Sequence, residues 1–446
     1  MSYVGQKYFL TIVAWGMIEI ASLITHESLS RATFRLQNDI LQKIIRHSIT
    51  WKEYRVILNF SFMEMEESGS DTLSAQLASD VTLVTQCSVN NLHHIIESLQ
   101  RWSGPMSIAV FAPGDHISHA VMGSFFIKRC FPERNISFQI VYPVDNLPKF
   151  KAESLRIWHN YYYSDKRTIH CKHLLVTLQG LKGKNYALGD IPYPHNTLRN
   201  VAKKAVKTRY MFLLDVDIMP SRKVREIFLN HLYNMKSRKD ATNTTVPQNV
   251  VFVTPAFEIE ESVSIPTTKQ ELAWLYKNGM IRAFHAETCP MCHKPTRYED
   301  WLGVSDTEVT AFEVEWSQSW EPFYISHVNV PEHDERFKQY GYDRISQVCE
   351  LYVSGHSFVL LANAFVVHKG LKSREKFHSK KNEENRKNWI LYTKLFKPDL
   401  KLKYLNSTRE CVETSKREGK SRVNFNPHMK RSAKVIFKEK PADRDL

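Results

Sequence analysis

Glycine and proline are scarce in this chain, 15 and 18 of 446 residues, which excludes a collagen-like or low-complexity polymer. Cysteine is scarcer still. Seven cysteines (Cys87, Cys130, Cys171, Cys289, Cys292, Cys349 and Cys411) are too few for a disulfide scaffold at this length, and their odd number leaves at least one unpaired within the chain. No segment repeats in tandem, so a solenoid or array is excluded. Long apolar runs are missing apart from one near the N-terminus. What remains is an ordinary globular composition, 43% hydrophobic and 24% charged, in a chain that suits one large α/β domain with flanking segments or two modest domains. Acidic residues are in deficit. The net charge of +14 favours anionic partners such as nucleotides, acidic glycans, nucleic acid or an anionic membrane face. No nucleic-acid recognition motif accompanies it, and this disfavours a nucleic-acid binder.

The single long apolar run, Tyr8–Ile24, spans roughly 25 Å as a helix, a little under a thin bilayer. Glu19 inside it costs about 2–3 kcal/mol on insertion scales. Residues 1–25 are read as a signal-anchor, with a cleaved signal peptide and a buried soluble helix as the other readings. Four N-x-Ser/Thr sequons, at Asn59, Asn135, Asn243 and Asn406, fit secretory passage without requiring it. Cys289-Pro-Met-Cys292 lacks enough neighbouring ligands for zinc, since His293 adds a single one, and reads as a local loop disulfide.

Residues 26–79 are polar with short helical patches and read as a stem or an N-terminal packing segment. From Asp80 the pattern sharpens. Val81–Thr85 is β-rich; Ser88 then stands as a candidate N-cap before Leu92, Ile95, Ile96 and Leu99 at helical spacing. Met106–Ala112, a helix over 118–130 and Ile136–Tyr142 continue the alternation, which predicts βαβ units and a parallel sheet. A second unit follows, in which Leu198, Val201, Ala202, Ala205 and Val206 form an apolar helix face, with Lys203, Lys204 and Lys207 outward. Tyr210–Leu214 is a near-continuous apolar strand, as a strand covered on both faces must be, and Val250–Val253 and Phe358–Val367 supply further buried strands. The folded domain is predicted over 80–411. Residues 412–446 carry ten Lys/Arg against five Asp/Glu with little apolar patterning, and read as a disordered tail.

The apolar strand runs into Asp215-Val216-Asp217. Ligands gather at the carboxyl ends of strands in open α/β sheets, and two carboxylates one residue apart there can meet one metal ion, directly or through water. The bland alternative is a pair of turn aspartates. A second D-x-D, Asp443-Arg-Asp445, lies in the tail and is discounted. Metal at such a site serves to hold a nucleotide diphosphate, as in GT-A glycosyltransferases. Val366-Val-His368-Lys-Gly370 offers a further ligand at a strand end in His368, with Lys369 and Lys372 placed for phosphates.

The stretches YPHNTLRNVAKKAVKTRYMFLLDVDIMPS (193–221), WEPFYISHVNVPEHDERFKQYGYDRISQVCEL (320–351) and ANAFVVHKGLKSREKFH (362–378) resemble glycosyltransferase family 49. The likeness covers roughly residues 80–411 and departs from the family pattern at Asp343, where that pattern has asparagine. It implies a GT-A type fold, a Rossmann-like mixed sheet behind an N-terminal anchor and stem. It further implies a type II Golgi membrane enzyme with a luminal catalytic domain, using Mn²⁺ to move glucuronic acid from UDP-glucuronate, with inversion, onto a xylose-terminated O-mannosyl glycan of a dystroglycan-type glycoprotein. A related transferase with xylose or N-acetylglucosamine as donor sugar, and an inactive glycan-binding homologue, remain as alternatives. Carried over, Asp215, Asp217 and His368 are the metal ligands, and Arg199 and Asn200 reach the donor's carboxylate or ribose. Inversion needs a carboxylate base near the acceptor hydroxyl. Asp334, Glu335 and Glu350 are the candidates, with Asp343 and Glu321 next. Trp301, Trp316, Trp320, Phe323 and Tyr324 form either a sugar-stacking platform or core.

Overall fold

A computed structural model describes residues 46–60, 80–149, 171–181, 186, 191–239, 248–373 and 379–412 of the protein. Tyr8–Ile24, Asn243 and residues 413–446 lie outside them, so the anchor and tail readings do too. Among the described residues no helix is long and apolar enough to cross a membrane. The compact unit that carries the site ends at Cys411.

The first described strands, β1 (Ile49–Trp51) and β2 (Tyr54–Ile57), form a hairpin inside the stretch read as stem. Tyr54, Val56 and Ile57 are buried, and β2 pairs antiparallel with a strand of the main sheet, so this part of the stem belongs to the domain. Then come β3 (Val81–Ser88), β4 (Met106–Phe111), β5 (Ile136–Pro143) and β6 (Tyr210–Leu213). β3 and β4 are buried along their whole length, and their largely apolar or small residues, Gln86 excepted, follow from having both faces covered. Connections pass through helices α1 (His94–Arg101), α2 (His116–Cys130) and α3 (His195–Lys204). Ser88 is not the cap of α1; it ends β3, and its hydroxyl donates to Asn90 Oδ1 at 2.6 Å.

After β6 come β7 (Ile218–Pro220), β8 (Val250–Thr254), β9 (Ala256–Ile259), β10 (Ile281–Ala283), β11 (Thr310–Val314), β12 (Phe323–His327), β13 (Ser357–Leu361) and β14 (Val366–Lys369). The large sheet runs β1-β2-β5-β4-β3-β6-β12-β8-β13-β11, and a small one runs β10-β9-β14-β7. β12 is antiparallel to both β6 and β8, so the sheet is mixed. The run expected over Phe358–Val367 is two strands in different sheets, because the chain crosses from one sheet to the other at Ala362–Phe365.

Side chains alternate across the large sheet with period two. Phe212 and Phe252 enter one core with Ile95, Trp102 and Phe228, while Met211, Leu213, Val251 and Val253 enter the other with Leu198, Val201 and Trp301. Lys203 is not a solvated member of its helix face, since its ammonium donates to the Val330 carbonyl. Three disulfides close the chain, Cys130–Cys171, Cys289–Cys292 and Cys349–Cys411, and Cys87 is the buried odd thiol. The local loop disulfide expected at Cys289–Cys292 is therefore present.

Candidate active site

The parallel core reads, in space, third strand, second, first, fourth: β5-β4-β3-β6. Connections diverge between β3 and β6, which opens a crevice beyond their carboxyl ends, the usual ligand position in such sheets. A cavity of about 300 Å³ lies there, lined by Gln86, Cys87 and Ser88 from the end of β3, by His94, and by Asp215 and Asp217 from the end of β6.

The two aspartates have different partners. Asp215 Oδ1 accepts from Arg199 at 3.1 Å, and Oδ2 pairs with Arg344. Arg199 is 3% exposed and also holds Asp343 at 2.7 Å, so two arginines and two carboxylates form one balanced, largely buried cluster. Burial alone would raise the Asp215 carboxyl; Arg344 and Arg199 outweigh it and hold the group far below its ordinary value. Asp343 supplies a full carboxylate that neutralises Arg199.

Asp217 faces the other way. β7 pairs antiparallel with β14, setting His368 opposite Ile218, one residue past Asp217. His368 Nε2 stands 3.3 Å from Asp217 Oδ2, and Lys372 Nζ stands 3.9 Å from the same oxygen. Burial raises the Asp217 carboxyl, and the His368 and Lys372 contacts more than offset it, leaving the group below its ordinary value. His368 Nδ1 donates to the Gly370 carbonyl at 2.7 Å, since a carbonyl can only accept. With that N–H committed, Nε2 is the ring nitrogen left to face the Asp217 carboxylate or a cation taken up beside it. Two lone-pair donors then face one point, with the imidazole oriented by a carbonyl behind it, which is the donor chemistry that suits a divalent cation. Among the described residues no three His, Cys, Asp or Glu side chains converge on one point; Asp217 and His368 could supply two ligands, while Asp215 is held by two arginines.

A buried ion pair grips the loop that carries Lys372. Glu258 is fully buried; its Oε1 accepts Arg282 Nε at 2.6 Å and its Oε2 accepts the Lys372 backbone N–H at 3.2 Å, while Arg282 Nη2 donates to the Lys372 carbonyl at 2.9 Å. Lys369 stays exposed.

The family model described as glycosyl-transferase for dystroglycan matches residues 80–405. The chain belongs to this glycosyltransferase family. The β-1,4-glucuronyltransferase 1 of Danio rerio is 35% identical over 370 residues, covering 81% of each chain. That of Homo sapiens is 36% identical over 340 residues, 74% of this chain and 78% of its own. The Homo sapiens xylosyl- and glucuronyltransferase LARGE1 is 25% identical over 77% of this chain but only 37% of its own length. Among solved structures, GalNAc-T7 crystallised with UDP, GalNAc and Mn²⁺ has a TM-score of 0.38 at 8% identity, over 72% of this chain and 49% of its own, a likeness too slight to argue from.

Within the matched glycosyltransferase region, none of the carboxylates named as candidate bases lines the Asp215–Asp217 crevice cavity, neither Asp334, Glu335 and Glu350 nor Asp343 and Glu321. Asp334, Glu335 and Glu350 line a separate cavity of about 270 Å³ whose lining includes neither aspartate. Each is already paired: Asp334 with Arg336 at 2.6 Å, Glu335 with Lys52 at 2.9 Å and Asn200 at 2.8 Å, Glu350 with Lys403 at 2.6 Å and Tyr404 at 2.9 Å. Arg199 and Asn200 diverge because neighbours on a helix point about 100° apart. Arg199 turns to Asp215, while Asn200 turns to Glu335 and the His333 backbone, to which it donates at 2.9 Å. The aromatic group is core packing: Trp301 and Trp320 are 0% and 1% exposed, Phe323 and Tyr324 are buried, and Trp316 stacks on Tyr352.

Sequence reasoning missed Arg344 and the Glu258–Arg282 pair. Glu258 had a readable signal, an acid inside the otherwise apolar strand Ala256–Ile259, since a buried charge must find a partner. Arg344 had none beyond its place in a matched block.

Proposed function

We propose that the protein is an inverting, Mn²⁺-dependent glucuronosyltransferase of GT-A type that transfers glucuronic acid from UDP-glucuronate to a xylose-terminated, dystroglycan-type O-mannosyl glycan. The observation that carries this reading is the meeting of Asp217, His368 and Lys372 at the strand-end crevice of a chain in this family. The bound metal would neutralise charge on the diphosphate as it leaves. Asp217 and His368 are its protein ligands, Lys372 and Lys369 take phosphate oxygens, and Asp215, kept ionised by two arginines, offers its remaining lone pairs to donor hydroxyls. The relatives named β-1,4-glucuronyltransferase 1 support glucuronate as the sugar.

The test is a panel of UDP-sugars with a β-xyloside acceptor, run with Mn²⁺ or with EDTA. UDP-glucuronate is expected to be the preferred donor, the product β-linked, and transfer abolished by EDTA. Preference for UDP-xylose or UDP-N-acetylglucosamine overturns the donor assignment, and undiminished transfer in EDTA overturns the metal dependence.

We propose further that the enzyme works in the Golgi lumen, held there through Tyr8–Ile24. Three disulfides suit an oxidising compartment, and the sequon asparagines Asn59, Asn135 and Asn406 are all exposed. Protein from secretory-pathway expression is expected to gain mobility on gels after endoglycosidase treatment. Recovery from the cytosol with no shift rejects the placement.

A further inference from the structure

Inverting transfer requires a group that takes the proton of the attacking hydroxyl, and the three carboxylates first considered are engaged around another cavity. We propose that Glu321 is that proton acceptor, with its carboxylate facing the acceptor hydroxyl beside the Asp215–Asp217 strand end. This rests on the glycosyltransferase reading above.

Backbone register brings Glu321 there. β12 pairs antiparallel with β6 through Tyr324↔Leu213. Glu321 lies three residues before Tyr324 and Asp215 two residues after Leu213, so both carboxylates leave the same end of this strand pair, and Asp215 is among the charges that act on Glu321. The Glu321 N–H donates to the Cys292 carbonyl at 2.9 Å, so the Cys289–Cys292 loop fixes its backbone. Cys292 Sγ lies 3.9 Å from Glu321 Oε1 and, being in the disulfide, has no hydrogen to donate.

Its side chain differs from every other carboxylate of the cluster. Asp215 and Asp343 are held by arginines and Asp217 by His368 and Lys372. Glu321 is half-buried, and among the described residues no cation or N–H donor binds its carboxylate. The charged and titratable groups that face it are Asp343, Asp215, Arg344, Arg199 and Tyr340. Burial and then Asp343 push its carboxyl up to about 7, with the arginines opposing. A base is most effective when it titrates near the working pH.

The step balances as follows. The acceptor oxygen bonds to the anomeric carbon as the bond from that carbon to the diphosphate oxygen breaks. UDP departs with the electron pair, and the hydroxyl proton passes to Glu321 and later to solvent. A locked, arginine-paired carboxylate could not accept that proton without losing its ion pair.

The experiment is steady-state kinetics of the full chain with wild type, Glu321→Gln and Glu321→Asp, alongside UDP binding by calorimetry and product anomer by NMR. Glu321→Gln is expected to lose about 10²–10⁴-fold in kcat while UDP affinity and donor KM stay within about twofold. Wild-type kcat is expected to rise with pH through about 7, and the residual activity of the Gln variant to lack that limb. Glu321→Asp keeps an ionisable group in altered surroundings, so it should retain a displaced acid limb at reduced kcat, which tests the role even if the Gln variant fails to fold. Near-wild-type kcat in Glu321→Gln, or an acid limb unmoved in Glu321→Asp, overturns the assignment while β-linked transfer by wild type leaves the enzyme reading standing. An α-linked product, or no transfer from any UDP-sugar, overturns both.

Discussion

Asp217→Asn is expected to lower kcat about 10²–10³-fold, the scale of removing several kcal/mol of charge stabilisation from a phosphate-leaving step. Asparagine keeps the volume and one carbonyl oxygen but not the charge. His368 Nε2, 3.3 Å away, would then be the one strong donor left facing that point. The concentration of Mn²⁺ needed for half-maximal UDP binding should rise by about 10–100-fold, measured by calorimetry so that affinity is separated from turnover. Melting temperature should change little, because the Asp217 side chain is 39% exposed and outside the buried arginine cluster. Asp215→Asn is predicted to differ in kind: it strips a charge from between Arg199 and Arg344 and should cost stability along with activity. If Asp217→Asn keeps wild-type metal dependence and turnover, the metal-ligand role is wrong.

Arg199→Met is expected to destabilise the fold by about 3–5 kcal/mol, since it leaves the buried Asp343 carboxylate without its ion-pair partner and Asp215 with Arg344 alone. The Asp343 pair joins segments far apart in the chain, tying the helix His195–Lys204 to the start of the helix Asp343–Val353. Thermal unfolding should move down by roughly 5–15 °C for a domain of this size. Asp343→Asn placed in the Arg199→Met background should recover part of the loss, because it removes the orphaned charge. Acid sensitivity follows with a definite sign. Asp215 and Asp343 both titrate below their ordinary value of 3.8 in the folded protein. Their contribution is therefore complete above about pH 4 and is lost as pH falls through the folded values. In Arg199→Met the depression shrinks, so less of this stabilisation is present at neutral pH. A melting temperature within about 2 °C of wild type would show that the cluster contributes no net stability.

Much of this arrangement was legible before any coordinates. The β-rich run at Val81, the apolar strands at Met106 and Tyr210 and the helix carrying Leu198, Val201 and Ala202 all lie where local patterning puts them. Burial on both faces writes itself as unbroken apolar runs, and burial on one side of a helix as a stripe of period 3.6. Strand followed by acid likewise placed Asp215 and Asp217 at a carboxyl end. Errors arose where a local pattern had two tertiary solutions. Phe358–Val367 reads as one apolar run, yet it serves two sheets; residues 49–57 read as stem or as a packing segment, and the pairing of β2 with β5 is what gives them a place in the domain.

The sequence by itself determined the strands and helices of the first βαβ units, the strand-end position of the aspartates and the family, because these depend on composition and on contacts within a few residues. Tertiary structure alone decided which partner each charged group meets. His368 reaches Asp217 because β14 registers against β7 across 150 residues of chain, about as far as any local signal can fail to extend. Asp215 is taken by arginines from two helices, Asp334, Glu335 and Glu350 turn to a separate cavity, and Glu321 is left without a cation. A carboxylate's chemistry is set by the charges within a few ångströms of it, and those are chosen by strand pairing and helix docking, which no residue's own neighbourhood in sequence encodes.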